Sequence, residues 1–358
     1  MKIPRKIILI IILSAAALLS ACSGRRVSAT SWPGITVNED TAYVAFGQFI
    51  YAVNLENGLE RWRYPGEADN NMSFFAAPLL TADGQLLIGG YDNVLRSLDP
   101  QNREEQWIFE GASNRYVGSP LATEDAIYAP SADQNLYVLS LDGKLIDTFQ
   151  TERAQWAQPS TDGQSIYLTS LDHIVYALTP GSLNLKWSQD LNGAIVGSPL
   201  VTDDGRLFVG TFANEMVALD TQSGAEIWRT TTSGWVWDRP ALNDDRLYFG
   251  DLEGVFYALN AGDGSVIWQL PPNSSIVGTP LVTEEGIFFT TEEGTLYAVD
   301  FEGNSIWKTP IGGNIYTGPV AAGEFILVAP IDSDTSMRLV ALNLNGTERW
   351  SFTTAEEQ

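Results

Sequence analysis

Short runs of alternating apolar and polar residues recur along the chain, separated by turns rich in glycine and acidic residues. The clearest copy is PLVTEEGIFFTTEEGTLYAVDFEGNSIW, residues 280–307, which predicts four short strands. Each copy opens with a proline and closes with an aromatic residue. The prolines are Pro33, Pro78, Pro120, Pro159, Pro199, Pro240, Pro280 and Pro319, and the aromatic residues are Trp62, Trp107, Phe149, Trp187, Trp228, Trp268, Trp307 and Trp350. Eight copies at intervals of about forty residues are typical of propeller blades.

The repeat predicts an all-β, eight-bladed propeller of four-stranded antiparallel blades over residues 32–353. Because no segment shows the apolar stripe of a helix, we expect next to no helix in this domain. The first strands should line the central channel, and the closing tryptophans should be mostly buried. The first and last copies each contain their own four strands, which predicts that the ring is closed by side-chain packing alone.

Residues 1–21 have the composition of a secretory signal peptide, with three basic residues before a largely apolar run that is short for a membrane span. The segment Leu19-Ser20-Ala21-Cys22 resembles a bacterial lipobox, and Cys22 is the single cysteine of the chain. We therefore predict lipid attachment at Cys22, a lipidated flexible tether over residues 22–31 and a C-terminal tail over residues 354–358. The protein is then an extracytoplasmic, membrane-anchored lipoprotein of the inner or the outer membrane. A plain signal peptide with an incidental cysteine is the alternative.

Acidic residues outnumber basic ones by 44 to 20, and without the three basic residues of the signal peptide the net charge is −27. Nucleic acid is therefore disfavoured as a partner. Many carboxylates fall in the predicted turns between the first and second strands, so one end of the propeller should carry a ring of them. They are Glu39, Asp40, Asp83, Glu124, Asp125, Asp162, Asp203, Asp204, Asp244, Asp245, Glu284, Glu285 and Glu324. Solubility explains this ring more simply than cation binding, and we predict no metal site.

Four tryptophans lie outside the closing position of the repeat, and all four fall within five residues before a blade-opening proline. In an up-and-down blade these inter-blade loops lie at the end opposite the acidic turns. Aromatic and arginine side chains are common anchors of protein interfaces. The predicted partner-binding residues in these loops are Phe74, Phe75, Arg115, Tyr116, Arg153, Trp156, Trp235, Trp237, Arg239 and Tyr316, with Trp32 nearby. The alternative is that the rings fill the channel mouth and pad the contacts between blades.

The segments VGSPLVTDDGRLFVG, MVALDTQSGAEIW and FYALNAGDGSVIW resemble the pyrroloquinoline-quinone (PQQ) type propeller repeat, whose motif is Ala-x-Asp-x-x-Thr-Gly-x-x-x-Trp. With a lipobox in front of this repeat, the chain resembles the BamB-type outer-membrane assembly lipoproteins. The resemblance implies a non-catalytic, monomeric propeller that serves as a platform for an envelope protein partner, such as a component of the barrel-assembly machinery, and that is held at the membrane through Cys22.

PQQ-dependent dehydrogenases carry the same type of repeat, so an enzyme is a further hypothesis. Those enzymes use a vicinal cysteine pair and a calcium ion, whereas this chain has one cysteine. The single histidine, His173, aligns with turn residues of other blades, and no nucleophile motif accompanies it. We therefore predict no catalytic residue and no cofactor. Binding of a small molecule or glycan in the central channel is the alternative function, and a PQQ-dependent dehydrogenase is the less favoured one.

Overall fold

The computed structural model describes residues 32–331 and 337–354, and these residues form eight four-stranded antiparallel sheets arranged as a propeller. In each sheet four consecutive strands pair in chain order, so each sheet is one up-and-down blade. These residues contain no helix, and hence none long and apolar enough to cross a membrane. The predicted all-β, eight-bladed fold is confirmed. The predicted signal peptide (1–21), Cys22, the tether (22–31) and residues 355–358 of the predicted tail lie outside the described residues.

The 32 strands divide evenly among the blades. Those of blades 1 to 4 are β1 (Gly34–Asn38), β2 (Thr41–Phe46), β3 (Phe49–Asn54), β4 (Glu60–Tyr64); β5 (Leu79–Leu80), β6 (Leu86–Gly89), β7 (Leu95–Leu98), β8 (Glu105–Phe109); β9 (Leu121–Ala122), β10 (Ile127–Pro130), β11 (Asn135–Leu139), β12 (Leu145–Gln150); and β13 (Ser160–Thr161), β14 (Ile166–Thr169), β15 (Ile174–Leu178), β16 (Leu185–Asp190). Those of blades 5 to 8 are β17 (Leu200–Val201), β18 (Arg206–Thr211), β19 (Glu215–Asp220), β20 (Glu226–Thr231); β21 (Ala241–Asn243), β22 (Arg246–Gly250), β23 (Phe256–Asn260), β24 (Val266–Leu270); β25 (Leu281–Thr283), β26 (Gly286–Thr291), β27 (Thr295–Val299), β28 (Ser305–Pro310); and β29 (Val320–Ala322), β30 (Phe325–Val328), β31 (Met337–Asn343), β32 (Glu348–Thr353).

The middle strands of each blade are buried on both faces, because a neighbouring blade packs on either side. In β22, Leu247 and Phe249 belong to the core shared with blade 5, whereas Tyr248 belongs to the core shared with blade 7. This is the two-residue period of a strand, with both sets of side chains apolar. The Phe256 and Phe289 rings stack across the boundary between blades 6 and 7, with their centroids 4.0 Å apart. Burying such a side chain contributes about 1.5–3 kcal/mol to stability.

A tryptophan in the fourth strand of most blades is hydrogen-bonded to the next blade. Its Nε1–H donates to a backbone carbonyl in the turn between the third and fourth strands of that blade, over 2.9–3.1 Å. A turn glycine lies beneath the indole: at Gly264 a Cβ would come within 2.5 Å of the Trp228 ring. Trp228 is 8% exposed, and the other six are half-buried. The pairs are Trp62–Pro100, Trp107–Leu141, Trp187–Thr221, Trp228–Ala261, Trp268–Phe301, Trp307–Leu344 and Trp350–Leu55.

Blade 3 is the exception, because the strand register shows that Phe149 is not at the closing position predicted for it. Ala258 pairs with Trp268 in blade 6, and the equivalent pair in blade 3 joins Val138 to Asp147. Phe149 therefore lies two residues beyond the tryptophan position, where it packs edge-to-face on Tyr176 of blade 4 at 5.3 Å. The polar link to blade 4 comes instead from Tyr128, whose hydroxyl accepts the Gly181 N–H at 3.0 Å.

The ring closes between blade 8 and blade 1, each built from its own four strands as predicted. A continuous core joins them, with Phe49, Tyr51 and Val53 on one side and Phe325, Leu327 and Phe352 on the other. The prediction that packing alone holds this seam is incomplete, because the Trp350 Nε1–H also donates to the Leu55 carbonyl at 2.9 Å. The contact that joins most neighbouring blades thus also closes the ring.

The segments just before the first strands of blades 7 and 8, β25 and β29, approach closely at two glycines. A Cβ on Gly318 would lie 1.9 Å from the Thr279 carbonyl oxygen, and one on Gly278 would lie 1.9 Å from the Gly318 nitrogen. These neighbours are backbone atoms, so they cannot rotate aside. We expect Gly318→Ala to lower the free energy of unfolding by about 2–3 kcal/mol in urea titrations.

Gly84→Ala is the matched control for that substitution. Gly84 has a φ of 87°, but a Cβ there would meet no atom within 4 Å. Backbone strain alone should then cost about 1 kcal/mol. Equal losses for the two variants would show that the inner strands can separate without penalty.

The acidic turns lie where the sequence placed them. All thirteen predicted carboxylates fall between the first and second strands of the eight blades, and all are exposed. Hydrogen bonds from Arg61 and Thr41 lower the pKa of Asp40, and hydrogen bonds from Arg206 and Thr202 lower that of Asp204. Asp40 and Asp204 are therefore ionised at neutral pH. Thirteen exposed acidic residues make this end of the propeller strongly negative.

Candidate functional site

The end opposite the acidic turns is built from the inter-blade loops and the turns between second and third strands. Two backbone hydrogen bonds hold each loop in a repeated way. Before blade 6, the Val236 N–H donates to the Thr211 carbonyl at the end of β18, and the Trp235 carbonyl accepts the Leu252 N–H from the turn of blade 6. Equivalent pairs hold the loops around Tyr116, Gln155 and Ile276. The loops are thus part of the rigid frame.

Side chains in these loops alternate between the core and the channel. This alternation divides the predicted partner-binding residues into buried residues and residues near the surface. The residue four positions before each proline is buried between blades: Phe74, Tyr116, Gln155, Ile195, Val236, Ile276 and Ile315 are each at most 1% exposed. Phe74 and Tyr116 are therefore core residues and are not available at the surface, contrary to their predicted role. Burial also raises the pKa of the Tyr116 phenol far above its ordinary value.

The residue three positions before each proline from Pro78 to Pro319 is next to this buried residue in the chain. Along the chain it alternates between an aromatic residue and valine, as Phe75, Val117, Trp156, Val196, Trp237, Val277 and Tyr316. Six of these side chains line one pocket of about 230 Å³, together with Trp32. Because the lining comes from loops all around the ring, the pocket lies at the mouth of the central channel. Large and small side chains in alternation can fill a narrow ring that eight aromatic residues would overcrowd.

Below this mouth the channel continues between the first strands, as predicted. Ile35, Leu281 and Val320 line a second pocket of about 450 Å³, which shares Gln158, Ser198 and Asp238 with the first. The side chain of Asp238 accepts the N–H groups of Arg239 and Thr279, at 2.7 and 3.1 Å. Burial raises the pKa of Asp238 and lowers the pKa of Arg239, since both charges are partly removed from water.

One edge of the mouth carries a chain of four aromatic rings. Trp235 stacks on Phe212 with centroids 4.6 Å apart and planes 11° apart. Phe212 also contacts Trp237 at 5.3 Å, and Trp237 contacts Trp32 edge-to-face at 5.7 Å. Trp235 is 48% exposed although one face of its indole is covered. The ring is therefore held in place while it presents its free face to solvent.

A second exposed group lies before blade 3. Phe75 is 5% exposed, and it stacks on Tyr91 at 3.9 Å. The Arg115 guanidinium lies 4.7 Å from the centre of the Tyr91 ring, and the Arg115 side chain is exposed. Phe75 thus supports Tyr91, while Arg115 and Tyr91 form the outer layer.

The remaining predicted residues lie at the same end of the ring but not in one patch. Arg153 is exposed beside blade 4, and Arg239 is exposed within the channel wall. Tyr316 is half-buried, and its hydroxyl donates to Glu292 at 3.0 Å. His173 lies in the turn of blade 4 with a φ of 77°, a conformation shared with Asn93, Gly254 and Gly294. Across residues 32–331 and 337–354, no three His, Cys, Asp or Glu side chains are placed to hold a metal ion.

A family model described as outer membrane protein assembly factor BamB matches residues 14–160, 171–277 and 271–358. These segments include nearly all of the propeller. The chain belongs to the BamB family.

Solved structures agree with this assignment at the level of fold. The crystal structure of BamB from Moraxella catarrhalis superposes with a TM-score of 0.73 at 15% identity, covering 86% of this chain and 94% of that one. The computationally designed Ika8 protein superposes with a TM-score of 0.74 at 14% identity, covering 90% and 97%. No curated protein matches the chain in sequence.

Three residues of this BamB-family site were missed from the sequence. Phe212 and Tyr91 lie in turns between second and third strands, which share an end with the inter-blade loops. Aromatic residues in those turns could have been included on the same topological argument. Asp238 could have been found by aligning the loops, because the other loops have Ala, Gly or Thr two positions before the proline.

Proposed function

We propose that this BamB-family propeller is a non-catalytic platform in the bacterial envelope, which binds a protein of the outer-membrane assembly machinery and is anchored through a lipid on Cys22. Support for an interaction role comes from the family and from two exposed groups at one end of the ring. We define the platform surface as both groups together, Trp235 with Phe212 at blades 5 and 6 and Arg115 with Tyr91 at blades 2 and 3.

The proposal rests on one observation: Trp235 is exposed to solvent and at the same time fixed by stacking. A tryptophan that is 48% exposed leaves a large apolar area in water, which is unfavourable in the free protein. Its stacking on Phe212 at 4.6 Å fixes the ring, so binding would order few additional rotors. Rigid, exposed tryptophan and arginine side chains are the usual hot spots of protein interfaces. The acidic turns at the other end lack such rings and would repel an anionic partner.

The described chain begins at this same end, since Trp32 lines the channel mouth and contacts Trp237. Nine residues lie between Cys22 and Trp32, and the ten Cα-to-Cα steps span at most about 35 Å. We infer that a lipid on Cys22 would keep the platform surface within reach of partners at the membrane.

We expect Trp235→Ala combined with Arg115→Ala to reduce co-purification of the barrel-assembly proteins by at least about ten-fold, since each anchor contributes roughly 1–2 kcal/mol. Neither side chain fills a core, so the thermal unfolding temperature should stay within about 3 °C of the wild type. The measurement is quantitative mass spectrometry of the complex captured from detergent-solubilised envelopes.

Leu59→Ala is the matched control for this pair. Leu59 is 65% exposed and lies beside the turn between β3 and β4, at the acidic end. The Leu59→Ala variant should co-purify with the barrel-assembly proteins at the wild-type level. If the double variant still captures the machinery at the wild-type level, or if Leu59→Ala weakens capture equally, the platform surface is not the binding site.

A further inference from the structure

We propose that the channel mouth binds a methylated ammonium group, such as that of choline, between the aromatic residues that precede blades 2, 4, 6 and 8. This ligand site is separate from the platform surface, because Trp235 and Arg115 do not line the pocket. We name Phe75, Trp156, Trp237 and Tyr316 the aromatic box.

The aromatic box places four aromatic residues around one pocket. Its members come from alternate blades of an eight-bladed ring, so their loops are spaced about a quarter-turn apart around the channel axis. All four rings line one pocket of about 230 Å³, with Trp32 beside Trp237. The negative faces of several aromatic rings attract a cation, and quaternary ammonium groups are bound in proteins by such boxes.

The residue types at the pocket also favour a cation. Among the described residues that line it, Asp238 is the one acidic residue and none is Lys, Arg or His. Burial raises the pKa of the Asp238 carboxyl, and a cation bound beside it would favour the ionised form. Its carboxylate is half-buried in the channel wall. Two backbone N–H groups bind this side chain, which leaves further lone pairs for interaction. Arg239 lies in the adjoining section of the channel and not in the mouth.

The loops of the box are held in place by the fold itself. The residue next to each ring in the chain, at the position four before the proline, is buried in the core between blades. The N–H groups of Gln155, Val236 and Ile315 are bonded to the carbonyls of Ser131, Thr211 and Glu292 in the preceding blades. A preformed site loses little conformational entropy on binding, which favours small ligands.

Isothermal titration calorimetry on the full-length protein tests the proposal, with choline and its neutral analogue 3,3-dimethyl-1-butanol as probes. The two have similar shape but differ in charge, so a box that recognises the cation should bind choline at least about ten-fold more tightly. Trp156→Ala and Trp237→Ala should each weaken choline binding by about ten-fold, and Asp238→Asn by about five-fold. Trp237→Phe should restore part of the affinity.

Trp235→Ala is the matched control, since it removes an indole that contacts Phe212 but does not line the pocket. It should bind choline like the wild type. A flotation assay with phosphatidylcholine vesicles, using the Cys22→Ser protein, distinguishes a lipid headgroup from free choline as the source of the ammonium group. Equal binding of the neutral analogue, preference for a neutral sugar such as glucose, or no binding of either choline or vesicles at millimolar concentration would overturn the proposal.

Discussion

We expect Trp350→Ala to lower the free energy of unfolding by about 3 kcal/mol, because Trp350 closes the ring. Its Nε1–H donates to the Leu55 carbonyl at 2.9 Å, and its ring packs over Gly58 and contacts Phe325 edge-to-face at 6.2 Å. Alanine would remove the hydrogen bond, leave the carbonyl without its partner and open a cavity at the seam. The loss can be measured by urea titration followed by circular dichroism.

Trp268→Ala is the matched control for the seam. Trp268 makes the same contacts between blades 6 and 7, with a 2.9 Å hydrogen bond to Phe301 and Gly303 beneath its ring. The loop before β25 also links those two blades, whereas blades 8 and 1 lie at opposite ends of the described chain. We expect a smaller loss at Trp268, of about 2 kcal/mol. Equal losses would show that chain continuity adds nothing to the contact between neighbouring blades.

The architecture could be predicted from the sequence because the period of the repeat is visible in single residues. Proline, the acidic turn, the glycine and the closing tryptophan recur at nearly constant spacing. Each occupies a position where backbone conformation or packing restricts the choice, as Gly264 does beneath Trp228. Eight concordant copies outweigh the ambiguity of any one short strand.

The prediction fails where a shift of one or two residues moves a side chain to another place. Phe74 and Phe75 are adjacent aromatic residues, yet Phe74 enters the core and Phe75 the channel. Composition cannot separate them, but strand alternation counted from Pro78 does. Phe149 matches the tryptophans in type only, whereas the register places Asp147 at the closing position, four residues after Gly143 as Trp268 is four after Gly264. The same bulge lies between the third and fourth strands of every blade, so counting from the turn glycine, and not the type of residue, gives the register.

The candidate site was predictable in location but not in its division into two parts. Up-and-down topology placed the aromatic and arginine residues at one end, and all of those predicted residues are found there or in the core just beneath. Which rings remain exposed depends on contacts from distant turns, such as Phe212 beneath Trp235 and Tyr91 beside Phe75. These contacts are specific to the individual blades and so are absent from the repeat pattern.

We expect Cys22→Ser to abolish acylation and to impair removal of the signal peptide, and the processed fraction to be released from the membrane. Without the predicted signal peptide the chain carries a net charge of −27, so anionic headgroups repel it. The lipid proposed at Cys22 would supply the attachment. One acyl chain binds membranes with an association constant of only about 10⁴ M⁻¹, whereas two or more chains anchor stably. Serine provides no thiol for the thioether bond, so labelled palmitate should not be incorporated.

Two measurements separate loss of the lipid from retention of the signal peptide. Size on a denaturing gel distinguishes the processed from the unprocessed Cys22→Ser protein, and the processed form should lose at least about 90% of its partitioning into the detergent phase of a Triton X-114 extraction, as expected for a protein without its acyl chains. Ser23→Ala, one residue further on, keeps the thiol and should partition like the wild type. Capture of barrel-assembly proteins in detergent should be unchanged in processed Cys22→Ser protein, because the platform surface is intact. Wild-type protein that stays in the aqueous phase, or processed serine variant that remains membrane-bound after a high-salt wash, would exclude lipidation at Cys22 as the anchor.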